Sequence, residues 1–279
     1  MPSPSRPWTL ISPASRGIGL ALAQHVLRTT RAPVVATARG DLSAARTAIL
    51  RDLAGSAPNA EERLKLVQLD YLDEATIASA AQACSALFPP KERWHLHLAL
   101  CVPGLLFPEK APAQISADDA LLTLRTNVLG PLLAIKHFSA FLPRKATSVG
   151  GGGDGDGDYE GLPARNAVWA TMSARVGSIA DNGLGGWYSY RASKAAVNQV
   201  TKTFDNHLRA SAGQKAMAVG LHPGTVRTGL SREFWANVKE GKLFAPAYAA
   251  ERLVEVVRGL DVESGRGKCW DWKGEEVPP

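Results

Sequence analysis

Tyr190 and Lys194, in the run Tyr190-Arg191-Ala192-Ser193-Lys194, stand four residues apart, a spacing that puts a phenol and an ammonium on one face of a helix. A cation beside a phenol favours its ionised form and lowers its pKa from the ordinary value of about 10. Tyr190 then becomes an acid or base able to serve a carbonyl and alcohol pair. The spacing alone is common on ordinary helix surfaces. It gains meaning from a second segment, Ser12-Pro13-Ala14-Ser15-Arg16-Gly17-Ile18-Gly19, near the N-terminus.

That segment joins an apolar run to an apolar helix-like stretch, the setting a dinucleotide-binding turn requires. Gly17 and Gly19 lack a Cβ and let a pyrophosphate approach the backbone, while the helix start at Ile18 offers free N–H groups and the positive end of a dipole. Two glycines also suit a plain strand-to-helix turn; Ser12, Ser15 and Arg16 favour phosphate. Arg39 follows the second expected strand, where this class of fold meets the adenosine ribose. An arginine there pairs with a 2′-phosphate, whereas an acid would accept from a 2′-hydroxyl. NADP(H) is therefore expected ahead of NAD(H), although Asp41 stands close by. Asp70, after the third strand, either meets the adenine edge or shapes the turn that ends at Asp73.

The elements that must position these groups alternate as in parallel βαβ units. Strands are expected at 8–12, 33–38, 64–69, 96–102, 167–172, 216–221 and 268–272. Helices are expected at 18–30, 41–54, 74–87, 117–141 with a bend at Gly130-Pro131, 187–210 and 247–259. This is a single α/β domain over 1–279, a Rossmann-type doubly wound parallel sheet of about seven strands with helices on both faces. The stretch 144–165, with its Gly150–Gly153 run and alternating Asp and Gly to Asp158, has almost nothing to bury and is expected as a disordered surface insertion. It mimics a calcium loop but lacks the closing Glu and the flanking helices.

With 45% hydrophobic and 21% charged residues, the composition is that of a soluble globular protein. No apolar run reaches the roughly 20 residues of a spanning helix, and the start lacks a signal-peptide core, so a cytoplasmic protein is expected without membrane partners. The charge of +6 is scattered and not interleaved with aromatics, which argues against nucleic acid. Cys84, Cys101 and Cys269 are too far apart for a CxxC site and are expected as reduced thiols. His95 and His97 share a strand face, but no carboxylate or cysteine at suitable spacing joins them, so no metal is expected.

On Tyr190, Lys194 and the glycine turn, the chain resembles the classical short-chain dehydrogenase/reductase family from about Trp8 onward. Its best local match is to the carbonyl-reductase-like, C-factor-like branch, through 175–182 and 185–196. The resemblance implies that Tyr190 is the catalytic tyrosine and Lys194 the lysine that binds the nicotinamide ribose. Asn127 matches the helix asparagine that holds a relay water. Pro223, Gly224, Val226 and Thr228 match the segment that contacts the nicotinamide carboxamide and phosphates.

Three positions depart from the family pattern. Pro13 replaces the first loop glycine and removes an N–H donor. Cys101-Val102-Pro103-Gly104 replaces Asn-Asn-Ala-Gly, leaving only Gly104 at the cofactor. Ala174 stands where a carbonyl-orienting serine is expected, and Ser173 is the nearest substitute, although strand alternation turns it to the other face. The expected function is hydride transfer between NADP(H) and a small hydrophobic carbonyl or alcohol. The alternative is a catalytically weak or inactive NADP(H)-binding protein on the same fold, acting as sensor or scaffold.

Trp187 and Tyr188 either line the substrate pocket or pack at the helix start. Phe234, Trp235, Phe244 and Tyr248 belong to a substrate lid around 229–248 or to a buried helix. The long helix 187–210 suggests a homodimer or homotetramer.

Overall fold

Short runs of Val, Ala, Leu and Ile become strands buried on both faces, as a sheet covered by helices on either side demands; all of Val34–Ala38 and all of Ala167–Met172 are buried. The computed structural model describes residues 5–53, 55–150 and 157–279. In chain order these hold β1 (Arg6–Ser12), α1 (Gly17–Thr29), β2 (Val34–Ala38), α2 (Leu42–Leu50), α3 (Ala60–Arg63), β3 (Leu64–Gln68), α4 (Glu74–Leu87), β4 (Trp94–Cys101), α5 (Ala117–Leu124) and α6 (Gly130–Phe138). There follow β5 (Ala167–Met172), α7 (Tyr188–Ala212), β6 (Ala216–His222), β7 (Thr225–Val226), β8 (Leu243–Phe244), α8 (Pro246–Gly259), α9 (Val262–Gly265), β9 (Cys269–Asp271) and β10 (Glu276–Val277).

Among the described residues the main sheet has eight strands in the order β10-β9-β6-β5-β4-β1-β2-β3, parallel except for β10 against β9. From β1 the chain first winds toward β3 and then returns to β4 and winds the other way. The switch therefore falls between β1 and β4, where Ser12 lies opposite Cys101, and a doubly wound sheet opens its ligand crevice there. Alternation along β1 feeds two cores: Ile11 packs with α1 and α8, while Trp8 and Leu10 pack with α4, α6 and α7. Among the described residues no helix is long and apolar enough to cross a membrane.

The extra strand β10 arises from a turn at its N-terminal side. Asp271 accepts from the N–H groups of Lys273 and Glu275, and Gly274 takes φ +84°, which folds the chain back on β9. The expected bend at Gly130-Pro131 is instead a π turn, Arg125–Leu129, one step earlier. Pro131 has no N–H to donate, and the Gly130 N–H reaches back five residues to Arg125 O. Gly130 is needed there because a Cβ would lie 2.8 Å from the Tyr71 side chain.

The expectation of disorder over 144–165 does not hold for its described residues. The central residues 151–156 lie outside the described residues, but Tyr159 and Leu162 are buried and Tyr159 donates to Ser5 O at 2.7 Å. Beneath them His95 Nε2 and His97 Nδ1 are 2.9 Å apart, and His97 Nε2 bonds Pro163 O at 2.7 Å. Burial pushes the two histidines down to pKa values of about 3 and about 4. They bind each other and the returning chain, and no cluster of three or more metal-type ligands occurs among the described residues.

Candidate active site

The glycine turn leaves β1 and enters α1 with strict backbone demands. Gly17 sits at φ +58°, and a Cβ on Gly19 would fall 1.9 Å from the Pro13 carbonyl oxygen. The N-cap Arg16 is extended and its side chain does not cap the helix, so the first-turn N–H groups stay directed out of the helix start. Ile18 packs on the core, which leaves backbone alone to face the turn. Ser15, Arg16 and Arg39 are exposed beside it. Asp41 caps α2, accepting from Ala44 N at 2.9 Å, which leaves the Arg39 guanidinium as the charge presented at the end of β2.

Ser12 does not face this turn, contrary to expectation. Its hydroxyl is buried 2.7 Å from Thr37 Oγ1 and accepts from Tyr71 OH at 2.8 Å. Tyr71 OH also reaches Ser12 O at 3.2 Å and Cys101 Sγ at 3.2 Å. The phenol of a residue after β3 thus braces the switch point, between the strand ends where the sequence has lost a pair of amides. Asp70 shapes its own turn, its carboxylate accepting from Leu72 N at 3.0 Å.

On α7, Tyr190 is 8% and Lys194 1% exposed. The Lys194 ammonium donates to Met172 O at the end of β5, at 2.8 Å, and lies 5.5 Å from the Tyr190 ring centroid. This corrects the expected effect of the lysine on the tyrosine. Burial raises the Tyr190 pKa above its usual value, and burial lowers that of Lys194 to about 8. The ammonium addresses a carbonyl and the ring face, and both groups have left water. Tyr190 is accordingly a neutral phenol at neutral pH.

Asn127 lies in the π turn, a form of helix defect often found at functional sites. Its Oδ1 accepts from Leu105 N at 2.8 Å, and its Nδ2 donates to Leu105 O at 2.9 Å and to Ser193 Oγ at 3.0 Å. Ser193 Oγ in turn donates to Tyr190 O at 2.7 Å. Asn127 therefore ties the loop after β4, next to exposed Gly104, to the helix that carries Tyr190 and Lys194.

Ser173 does not replace the missing serine. Its hydroxyl donates to Asn198 Oδ1 at 2.6 Å within the core, on the face opposite Ala174, as strand alternation dictates. Ser178 accepts from Asp181 N at 3.0 Å and donates to Pro279 O at 3.3 Å. Neither hydroxyl is available beside Tyr190.

The segment after β6 crosses the mouth of the crevice. Pro223 and Gly224 open it, the latter at φ +72° against the Phe244 ring, and Val226 is buried with its carbonyl accepting from Ser231 Oγ. A Cβ on Gly17 would meet Thr228 Cγ2 at 3.4 Å, and one on Gly104 would meet Leu230 Cδ1 at 3.1 Å. A 3₁₀ helix, Gly229–Asn237, then brings Phe234 to 4.8 Å from Trp187, whose ring stands 6.3 Å and 80° from that of Tyr190. Phe244 and Tyr248 turn elsewhere and pack on Trp272 at 4.5 and 6.2 Å. Only the first part of 229–248 thus lies over the crevice.

Sequence reasoning missed Tyr71 and Glu109. Glu109 is 3% exposed, and its Oε2 accepts from Ser189 N at 2.7 Å at the start of α7. Each is a lone residue in an irregular stretch, and the pairings span 59 and 80 positions. No periodicity marks such a contact.

No family model matches the chain. It is 35% identical to the C-signal protein of Myxococcus xanthus over 109 residues, 39% of this chain and 59% of that one. It is 40% identical to the 1-hydroxy-2-glutathionyl-2-methyl-3-butene dehydrogenase of a Rhodococcus species over 96 residues, 34% of this chain and 40% of that one. These matches span about half the length of those two relatives. An uncharacterized oxidoreductase of Schizosaccharomyces pombe is 26% identical across 96% of both chains. Among solved structures, NADPH-bound carbonyl reductase from chicken fatty liver superposes with TM-score 0.77 at 26% identity, covering 99% of this chain and 100% of that one. A short-chain dehydrogenase/reductase from Burkholderia multivorans with bound NADP superposes with TM-score 0.70 at 24% identity, covering 98% and 100%.

Proposed function

Because the chain belongs to the short-chain dehydrogenase/reductase family, we propose that it is an NADP(H)-dependent oxidoreductase acting on small apolar carbonyl compounds or the matching alcohols. The observation that carries this reading is the buried neutral phenol of Tyr190, held beside the buried Lys194 ammonium at the same end of the sheet as the glycine turn.

The residues present fit the nucleotide. The turn has no room for a side chain at Gly19 and holds Gly17 at a positive φ, its helix start offers uncapped N–H groups, and Arg16 and Arg39 stand exposed where phosphates would lie. Thr228, over Gly17, and Gly104 would flank it, with Pro223, Gly224 and Val226 shaping the nicotinamide end. NADPH, when bound, supplies the hydride for the carbonyl carbon. Tyr190 gives its proton to the carbonyl oxygen as charge develops there. Lys194 stabilises the phenolate left behind and holds the ribose. Asn127 keeps the loop after β4 and the Tyr190 backbone in register. Trp187, Phe234 and Leu230 make an apolar wall that favours uncharged substrates.

Self-association is part of this proposal. Leu121, Leu124, Leu129 and Leu132 are exposed and follow one another along α5, the π turn and α6, a stripe suited to burial against a second copy.

A second reading has an observation in its favour. Ala174 brings no hydroxyl to the substrate oxygen, and the hydroxyls of Ser173 and Ser178 are committed elsewhere. A weakly catalytic NADP(H)-binding sensor follows if that loss is decisive. NADPH oxidation with a panel of aldehydes and diketones separates the two. Turnover that falls about 10²- to 10⁴-fold in Tyr190→Phe supports the enzyme, whereas tight NADPH binding in calorimetry without turnover supports the sensor.

A further inference from the structure

Helix α7 delivers Tyr190 from its first turn, so the way that turn is fastened decides where the phenol points. The turn has no cap of its own: Trp187, at the N-cap, stands at φ +51° and makes no side-chain cap bond. The missing acceptor comes from Glu109, 80 residues upstream, whose Oε2 accepts from Ser189 N at 2.7 Å and whose Oε1 accepts from Ser189 Oγ at 2.5 Å. The Glu109 carbonyl also accepts from Trp187 N at 2.6 Å, fixing the residue whose ring stands between Tyr190 and Phe234. From the other side Arg191 binds the carbonyls of Gly185, Gly186 and Val176.

A buried carboxylate is costly unless its oxygens are bonded, and here both are spent on the helix start. Its negative charge faces the positive end of the α7 dipole. A plain hydroxyl or amide cap on Trp187's position would serve the helix equally well without drawing the loop after β4 into the same fastening. The geometry instead couples that loop, the pocket wall and the phenol through one residue, whose main-chain carbonyl holds Trp187 and whose carboxylate holds Ser189 just before Tyr190.

We infer that Glu109 is a positioning residue, one that fixes Tyr190 and Trp187 through the first turn of α7 without touching substrate or cofactor. The inference rests on the proposed reductase activity. It predicts a loss in the chemical step with little change in nucleotide affinity, because the glycine turn and Arg39 lie on other elements.

The test compares wild type with Glu109→Ala, Glu109→Asp and Glu109→Gln, measuring kcat and KM with the best carbonyl of the panel, NADPH affinity by calorimetry and the thermal midpoint. Glu109→Ala is expected to lower kcat about 10- to 100-fold, as small misplacements of reacting groups do, with NADPH affinity held within about threefold. Glu109→Gln still accepts from the Ser189 N–H and is expected to restore kcat to within about fivefold. Glu109→Asp, one methylene short of its partners, is expected to lie between them, and it carries the test if Glu109→Ala does not fold. An unchanged kcat in Glu109→Asp and Glu109→Ala overturns the inference, as does a parallel collapse of kcat and NADPH affinity. A wild type inert toward every carbonyl refutes the underlying reading instead.

Discussion

Lys194 donates its ammonium to Met172 O at 2.8 Å and passes 5.5 Å from the ring centroid of Tyr190, so one cation ties the end of β5 to the face of the proposed proton donor. Burial brings its pKa down to about 8. Below that pH the group is charged and above it neutral, so kcat/KM for carbonyl reduction is expected to fall as pH rises through about 8. Lys194→Arg, which stays charged, should remove this limb from the profile at reduced kcat. An identical alkaline limb in the variant would assign the titration to another group.

Arg39 is exposed at the end of β2, with Asp41 turned to its own helix. Arg39→Ala is expected to weaken NADPH binding by about 10- to 100-fold, the worth of a charge-assisted pair. NADH binding should change little, since it has no 2′-phosphate. Calorimetry with both nucleotides checks this, and an equal loss for the two would remove Arg39 from the ribose.

Ala174 lies buried at the end of β5 in an extended conformation, followed by the turn that Gly177 closes on it. Ala174→Ser adds a hydroxyl on the face that Ser173 cannot reach. An oriented donor at a developing oxyanion is commonly worth about 100-fold in rate, so the variant is expected to raise kcat by at least about tenfold. A variant that folds and turns over no faster would place the substrate oxygen elsewhere.

His95 and His97 are held neutral by burial, with pKa values of about 3 and about 4 against an ordinary 6.5. The unfolded chain binds more protons than the folded one between those values, so stability rises with pH there and is lost as pH falls from 6.5 toward 4. Urea unfolding at pH 7.5 and pH 5 is expected to differ by roughly 2–4 kcal/mol from this pair. His97→Gln, able to keep the bond to Pro163, should flatten the dependence, and an equal slope in the variant would point to other groups.

The parts legible in the sequence are those whose signal is local. Tyr190 and Lys194 announce themselves by one helical turn, Gly17 and Gly19 by a turn that needs a positive φ at the first and has no room for a side chain at the second, and the parallel sheet by its buried apolar runs. What escaped depends on contacts far apart in sequence. Ser12 looked like a phosphate ligand until Tyr71 and Thr37 claimed its hydroxyl from neighbouring strands. The expected lowering of the Tyr190 pKa failed because helical spacing gives proximity but not burial. Glu109 acts on a helix that begins 79 positions later and leaves no periodic trace.

The anchoring of Ser148 and Tyr159 to Ser5, and of Pro163 to His97, has a practical corollary. These ties lie just before β1, about 23 Å along the strand from the Ser12–Cys101 pair, and midway along β4, about 13 Å from Cys101. The described residues on either side of 151–156 are therefore fastened toward the floor of the sheet, away from the chemistry. A fluorescent label or an affinity handle spliced there should ride along without disturbing turnover.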